Sequence, residues 1–492
     1  MKQSGVLCPI FSLPSPYGIG SFSKEAYDFV DFLQGAGQRV WQILPLGPTS
    51  VGDSPYQSFS TFAGNPYFVD LDTLIQEGLL TKEECKKALG TYGGEIDYKA
   101  QYEKRIPLLK KAYGRFTPTK EYQTFVKTHR HWLADYSLFM ALKTHFHGAP
   151  FPMWEEPLRS RDPKALEEAR KTLAKEIGFW EFVQYLFFTQ WQGLKAYANQ
   201  RNIKILGDLP IYVAPDSADV WANHHLFQLT KEGHPTFVAG CPPDGFSENG
   251  QLWGNPLYNW KAHKEENYEW WRSRITHALT LFDTVRLDHF RGFEAYYAIP
   301  FGEKTAKQGK WEQGPAEELF QALKDLLTPQ NTVAEDLGFI TQGVQTLLNS
   351  CGFPGMKVLQ FAFDSRDKDQ LGDLPHSYPQ NCVAYTGTHD NQTLISWFAT
   401  ISHMEQQKVR TYLGDFYTPP SQMHKPLIAR LLATNANLCI IPLQDYLGLD
   451  DTARINTPAT LGNNWKWRFE KGALTPQLQK EMNALTKLYN RV

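Results

Sequence analysis

Apolar and polar positions along the chain alternate between two patterns. Eight short β-rich apolar runs, each bounded by turn residues, fall at 4–10 (SGVLCPI), 39–46 (RVWQILPL), 202–209 (NIKILGDL), 283–290 (DTVRLDHF), 331–338 (NTVAEDLG), 357–363 (KVLQFAF), 381–388 (NCVAYTGT) and 438–445 (LCIIPLQD). Helix-period stretches lie between most of them, including SKEAYDFVDFLQGAG before the second run, EFVQYLFFTQWQGLKAYANQR before the third, YEWWRSRITHALTLF before the fourth and AEELFQALKDLL before the fifth. Strands that alternate with helices imply parallel pairing, and eight such units predict a closed (β/α)8 TIM barrel. An open doubly wound sheet would usually carry a G-x-G-x-x-G turn after its first strand, and the sequence has none.

The spacing is uneven. Residues 47–201 separate the second run from the third and residues 210–282 the third from the fourth, far more than a connecting helix needs. The expected organisation is therefore one catalytic barrel over 1–492, with insertions after strands 2 and 3 that wall a cleft. The first insertion includes a charged helical stretch that reads as a solvated face. The second includes the Gly-, Pro- and Asn-rich loop 241–258, CPPDGFSENGQLWGNPLY, with Trp253 near its centre. Loops that follow barrel strands lie over the catalytic face.

Composition narrows the field. A net charge of −2 offers no basic surface for a phosphate backbone, so nucleic acid is not an expected partner. Neither is a membrane, because no run approaches the ~20 apolar residues that span a bilayer. The six cysteines are widely spaced, without a Cys-x-x-Cys pair, and read as reduced thiols of a cytoplasmic protein. Fourteen Trp, 23 Tyr and 31 Phe suit either a large core or a cleft lined with rings that stack on sugars, and composition does not choose.

The fourth run poses the chemical question, because Arg286, Asp288 and His289 interrupt what otherwise reads as a buried strand. Burying unpaired charge is costly. Barrel active sites form where strands end, and acids recur there: Asp208 at the third run, Asp288 at the fourth, Glu335 with Asp336 at the fifth, and His389 with Asp390 beyond the seventh. Paired carboxylates suit cleavage of a glycosidic bond, one as nucleophile and the other as proton donor. A metal-hydrolase reading would use Asp208, Asp288, His289, Glu335 and His389 as ligands. Arg286 disfavours it, since on a strand it shares a face with Asp288 and would repel a cation. No cofactor is expected.

Long motifs then carry a resemblance. SGVLCPIFSLPSPYGIGSF, DSPYQSFSTFAGNPYFVDL, ILGDLPIYVAPDSADVW, PPDGFSENGQLWGNPLYNW, VRLDHFRGF, VAEDLG, YTGTHDNQT and RINTPATLGNNWKWR together resemble the 4-α-glucanotransferases of glycoside hydrolase family 77, from about residue 4 to 470. The chain departs from the family at Pro9 and Ile10, where many members carry His-x-Thr, and at Ala459, where Gly is common. The resemblance implies a retaining transferase acting on α-1,4-glucans and maltooligosaccharides. By it Asp288 is the nucleophile, Glu335 the acid and base, and Asp390 the third carboxylate, which holds sugar hydroxyls. It further implies substrate contacts at Asp208, Arg286, His389 and Asn456, and aromatic platforms at Tyr56 and Trp253. His289 stays open between a structural and a functional part, and the sequence leaves oligomeric state, donor length and pathway undecided.

Overall fold

The computed structural model describes residues 2–50, 52–91, 93–243, 247–338, 340–364 and 374–492. Twelve strands are formed among them: β1 (Gln3–Leu7), β2 (Val40–Gln42), β3 (Lys204–Leu209), β4 (Phe237–Cys241), β5 (Gln251–Pro256), β6 (Thr284–Leu287), β7 (Ala295–Pro300), β8 (Lys310–Gln313), β9 (Thr332–Ala334), β10 (Gly355–Val358), β11 (Cys382–Tyr385) and β12 (Leu438–Pro442). Eight of them make one sheet in the order β10-β11-β12-β1-β2-β3-β6-β9. Every pair within it is parallel. The N–H of Ala334, at the end of β9, donates to Pro354 O just before β10 at 2.9 Å, which brings the two edges together and rounds the sheet into the (β/α)8 barrel. Seven of these strands fall on the predicted runs, whereas β10 begins two residues ahead of the sixth run, of which only Lys357 and Val358 are strand and Leu359–Phe363 forms a 3-10 helix.

Most barrel-strand positions are buried, inward on the barrel centre or outward on helices, which is why the strands read as near-continuous apolar runs. The helix Glu269–Leu281, whose buried residues include Trp271, Ile275 and Ala278, packs against β3 and β6, and Phe282, just past its end, packs over Gly207. A Cβ at Gly207 would overlap the Phe282 ring, so this position beside Asp208 has room for hydrogen only. The 27-residue helix Ala174–Gln200 closes the first insertion and delivers the chain to β3, with Trp191 Nε1 donating to Leu281 O at 3.1 Å. Residues 47–173 add mainly short helices around it.

The segment 241–258 differs from the expected loop. The end of β4 and all of β5 fall within it, and the two pair antiparallel. The connection between β6 and β9 contributes β7 and β8 to the same sheet, in the order β5-β4-β7-β8. Two excursions from neighbouring barrel strands have thus joined edge to edge. Glycine and proline density read as loop because sequence alone does not show that β7 waits to pair with β4. Residues 244–246 of that stretch lie outside the described residues.

Candidate active site

The carboxyl ends of four barrel strands bring the acids together. Backbone ladders fix where each emerges: Asp288 N donates to Leu209 O at 3.1 Å and Glu335 N to Leu287 O at 3.0 Å, so each continues the register of its strand. Asp208 and Arg286 face each other across β3 and β6.

Arg286 organises the group. Its Nη1 donates to both oxygens of Asp208, at 2.7 and 2.8 Å, and to Asp288 Oδ1 at 3.1 Å, while Nη2 lies 3.8 Å from Glu335 Oε2. Burial alone disfavours the guanidinium, but Asp208 and Asp288 outweigh it and hold its pKa well above the usual value. The strand that looked too polar to bury therefore carries a permanent cation with acids around it. Removing one side of such a pair leaves an uncompensated buried charge, at a cost of about 3–5 kcal/mol.

The acids differ in exposure, and this separates their possible roles. The Asp208 side chain is 0% exposed, enclosed by Arg286 and by the Tyr56 hydroxyl, which donates to Oδ2 at 2.7 Å. Burial and the neighbouring Asp208 push the Tyr56 hydroxyl far above its ordinary pKa, so it remains a donor. Asp288, at 23%, and Asp390, at 44%, open to the cleft. Glu335 is more enclosed, at 12%, and accepts from His289 N–H at 2.6 Å and Leu337 N–H at 3.1 Å. Burial pushes its pKa up to about 8, with Asp288 adding to the rise and Arg286 opposing it. A carboxyl that stays protonated near neutrality beside one that opens to the cleft is the asymmetry acid-assisted displacement needs.

Asp390 is held by the segment that follows β12. Asn456 Nδ2 donates to its Oδ1 at 2.6 Å, His389 Nε2 lies 3.3 Å from the same atom, and Arg454 Nη2 donates to its backbone oxygen at 2.7 Å. The Tyr56 and His389 rings stack at 5.2 Å and 18°, and Trp465 tilts against both at 5.9 Å. Trp253, on β5, meets the His289 ring edge-on at 4.9 Å.

Every residue named from the sequence thus reaches this end of the barrel, with one exception. Asp336 turns away: its Oδ1 accepts from Met356 N–H at 2.6 Å and ties β9 to β10. A neighbouring acid on a strand points to the opposite face, which the period of two already implies. His289 joins through its backbone N–H, and its Nε2 has no partner among the described residues. Burial, with help from Arg291 and Arg286, lowers its ring to a pKa of about 4. Trp465 and Arg454 were not singled out, although both lie in the motif RINTPATLGNNWKWR. Among the described residues no group of three or more His, Cys, Asp or Glu is placed to hold a metal ion, and the space between Asp208, Asp288 and Glu335 is taken by the guanidinium.

A (β/α)8 barrel with a carboxylate cluster at the carboxyl ends of its strands belongs to the class of barrel enzymes that place their catalytic acids there. Comparison with known proteins narrows the class. The sequence pattern of the 4-alpha-glucanotransferases matches residues 8–475. A 4-alpha-glucanotransferase of Clostridium butyricum is 46% identical over 98% of this chain and 99% of its own, and one of Thermus thermophilus is 45% identical over 100% and 99%. The solved amylomaltase of Streptococcus agalactiae, in complex with acarbose, superposes with a TM-score of 0.95 over the full length of both chains at 39% identity. The chain belongs to the 4-alpha-glucanotransferase family, glycoside hydrolase family 77, whose members transfer glycosyl groups. Among the described residues no helix is long and apolar enough to cross a membrane.

Proposed function

We propose that the chain disproportionates α-1,4-glucans by a retaining double displacement at Asp288 and Glu335. In the first step an Asp288 carboxylate oxygen attacks C1 of the donor glucose. The bond to the leaving oxygen breaks, and the Glu335 proton passes to that oxygen as the shortened chain departs. In the second step the 4-hydroxyl of an acceptor sugar gives its proton to Glu335, its oxygen bonds to C1, and Asp288 is released. Two inversions restore the α linkage. Arg286 aims Asp288 through its Nη1 contact, and Asp390 holds the 2- and 3-hydroxyls as the ring flattens.

The observation that carries the reading is the pair formed by a buried Glu335, with its pKa near 8, and the cleft-facing Asp288, both beside Arg286. The partly exposed rings of Tyr56 and Trp253 lie beside this pair and offer flat faces to sugars, with the buried Trp465 packed behind Tyr56. All six cysteines are free thiols, which fits a reducing, cytoplasmic setting. Incubation with pure maltotriose tests the function. The expected products are glucose and a ladder of longer maltooligosaccharides, with almost no net gain in reducing ends. Steadily rising reducing ends, with only glucose and maltose formed, would show a hydrolase.

A further inference from the structure

The fate of a glucosyl-enzyme depends on whether an acceptor sugar or water reaches C1, so the placement of the acceptor wall matters as much as the acids. On the transferase reading that wall includes Trp253, which is carried by β5, an edge strand of the small sheet. Its ladder with β4 is irregular where it matters: Gly240 pairs with Leu252 and Val238 with Pro256, so the register shifts across Trp253, Gly254 and Asn255. Gly254 has φ +80° there, a left-handed turn of the backbone that β-branched or bulky residues would strain. Strand pairing therefore does not fix the stretch that presents Trp253. Something else must.

Two side-chain amides do. Gln57 Nε2 donates to Asn255 Oδ1 at 2.9 Å and to Trp253 O at 3.3 Å, and Asn255 Nδ2 donates back to Gln57 Oε1 at 3.4 Å. Asn255 is 4% exposed and also donates to Val213 O at 2.9 Å, just beyond β3. Gln57 follows Tyr56, whose hydroxyl is bonded to Asp208 and whose ring is stacked on His389. From Asp208 through Tyr56, Gln57, Asn255 and Trp253 to His289, whose N–H holds Glu335, the contacts run round the cleft.

We propose that Gln57 and Asn255 are specificity-determining positioning residues, whose paired amides lock the acceptor wall to the donor wall and so set how the intermediate divides between sugar and water. The proposal rests on the transferase reading above. Neither amide is needed for the first displacement, in which donor and acids are already in place. Both matter for the second, in which a displaced Trp253 would leave the acceptor poorly held and admit water.

The test separates the two steps. Gln57→Met keeps the length of the side chain and removes the amide, and Asn255→Leu removes the other partner. Fluoride release from α-maltosyl fluoride reads the first step, and reducing ends against ladder length from maltotriose read the partition. Expected are fluoride release within about twofold of wild type and a hydrolysed share raised at least roughly fivefold in each variant, the factor that a single lost hydrogen bond corresponds to, since each substitution removes the shared amide pair and one bond more. The double variant should fall short of the product of the two single effects, because the amide pair they share can be lost only once, while the bonds to Trp253 O and Val213 O are lost separately. An unchanged partition, or fluoride release and transfer falling together, would overturn the proposal. A wild-type enzyme that only hydrolyses maltotriose would instead overturn the transferase reading, and the inference with it.

Discussion

Replacing Glu335 by glutamine tests the proposed proton donor most directly, because the carboxyl lies beside Arg286 and burial raises its pKa. With a pKa of about 8, about nine-tenths of the carboxyl is protonated at pH 7 and about one-tenth at pH 9. Activity on maltotriose should therefore fall roughly tenfold for each pH unit above 8. Glutamine cannot give up a proton at any pH, and loss of general-acid help is worth roughly two to four orders of magnitude, or about 3–5 kcal/mol of barrier. Fluoride leaves without that help, so the first step with α-maltosyl fluoride should survive largely intact and lose the upper pH limb. Stability supplies an independent reading. The folded pKa lies above the ordinary 4.5, so the folded state holds a proton that the unfolded chain releases between pH 4.5 and 8. Stability then falls as pH rises through that window. Glutamine carries no charge to bury, so the gap in Tm between variant and wild type should shift in favour of the variant from pH 5 to pH 8.5. Single-turnover kinetics with both donors, and thermal melts across pH, make the assay. Equal first-step losses on fluoride and maltotriose would refute the assignment of Glu335.

Two further variants test the other sides of the cleft. Asp288→Asn retains an oxygen for the Arg286 contact at 3.1 Å but removes the attacking charge, so kcat should drop by roughly four or more orders of magnitude with the fold intact by circular dichroism; near wild-type turnover would remove Asp288 from this role. Trp253→Ala should weaken acceptor binding by roughly 1–3 kcal/mol and raise the share of intermediates lost to water, read as acceptor KM and reducing-end yield; an unchanged acceptor KM would show that no sugar stacks there.

How much of this the sequence could reveal depended on whether a feature was local. The eight barrel runs were legible because each strand announces itself through its own apolar residues and bounding turns, and the strand ends then locate Asp208, Asp288, Glu335 and Asp390 without knowledge of any partner. The polar run at Arg286 was legible as a problem for the same reason: Arg286 and Asp288 lie two apart on one strand, so their shared face follows from the pleat. What escaped is what depends on pairs distant in the chain. The strand β4 meets β7 across some 60 residues, as in the pairing of Val238 with Ile299, and nothing in FVAGC or AYYAIP marks the other as its partner. The amide contact of Gln57 with Asn255 spans 198 positions. Glutamine and asparagine carry no patterning signal comparable to a buried charge, because an amide is tolerated both in solvent and in a satisfied interior. Asp336 shows the converse, since it looked like a site acid by adjacency to Glu335 and the alternation of side chains sends it instead to Met356 N–H. Chemistry that needs a charge in a strand leaves a trace in one sequence, whereas chemistry that needs two walls at a set separation is written in neutral side chains. The acids of this cleft could therefore be read from the chain directly, while the amide pair that ties its two walls emerges only once β5 is seen lying against the Tyr56 loop.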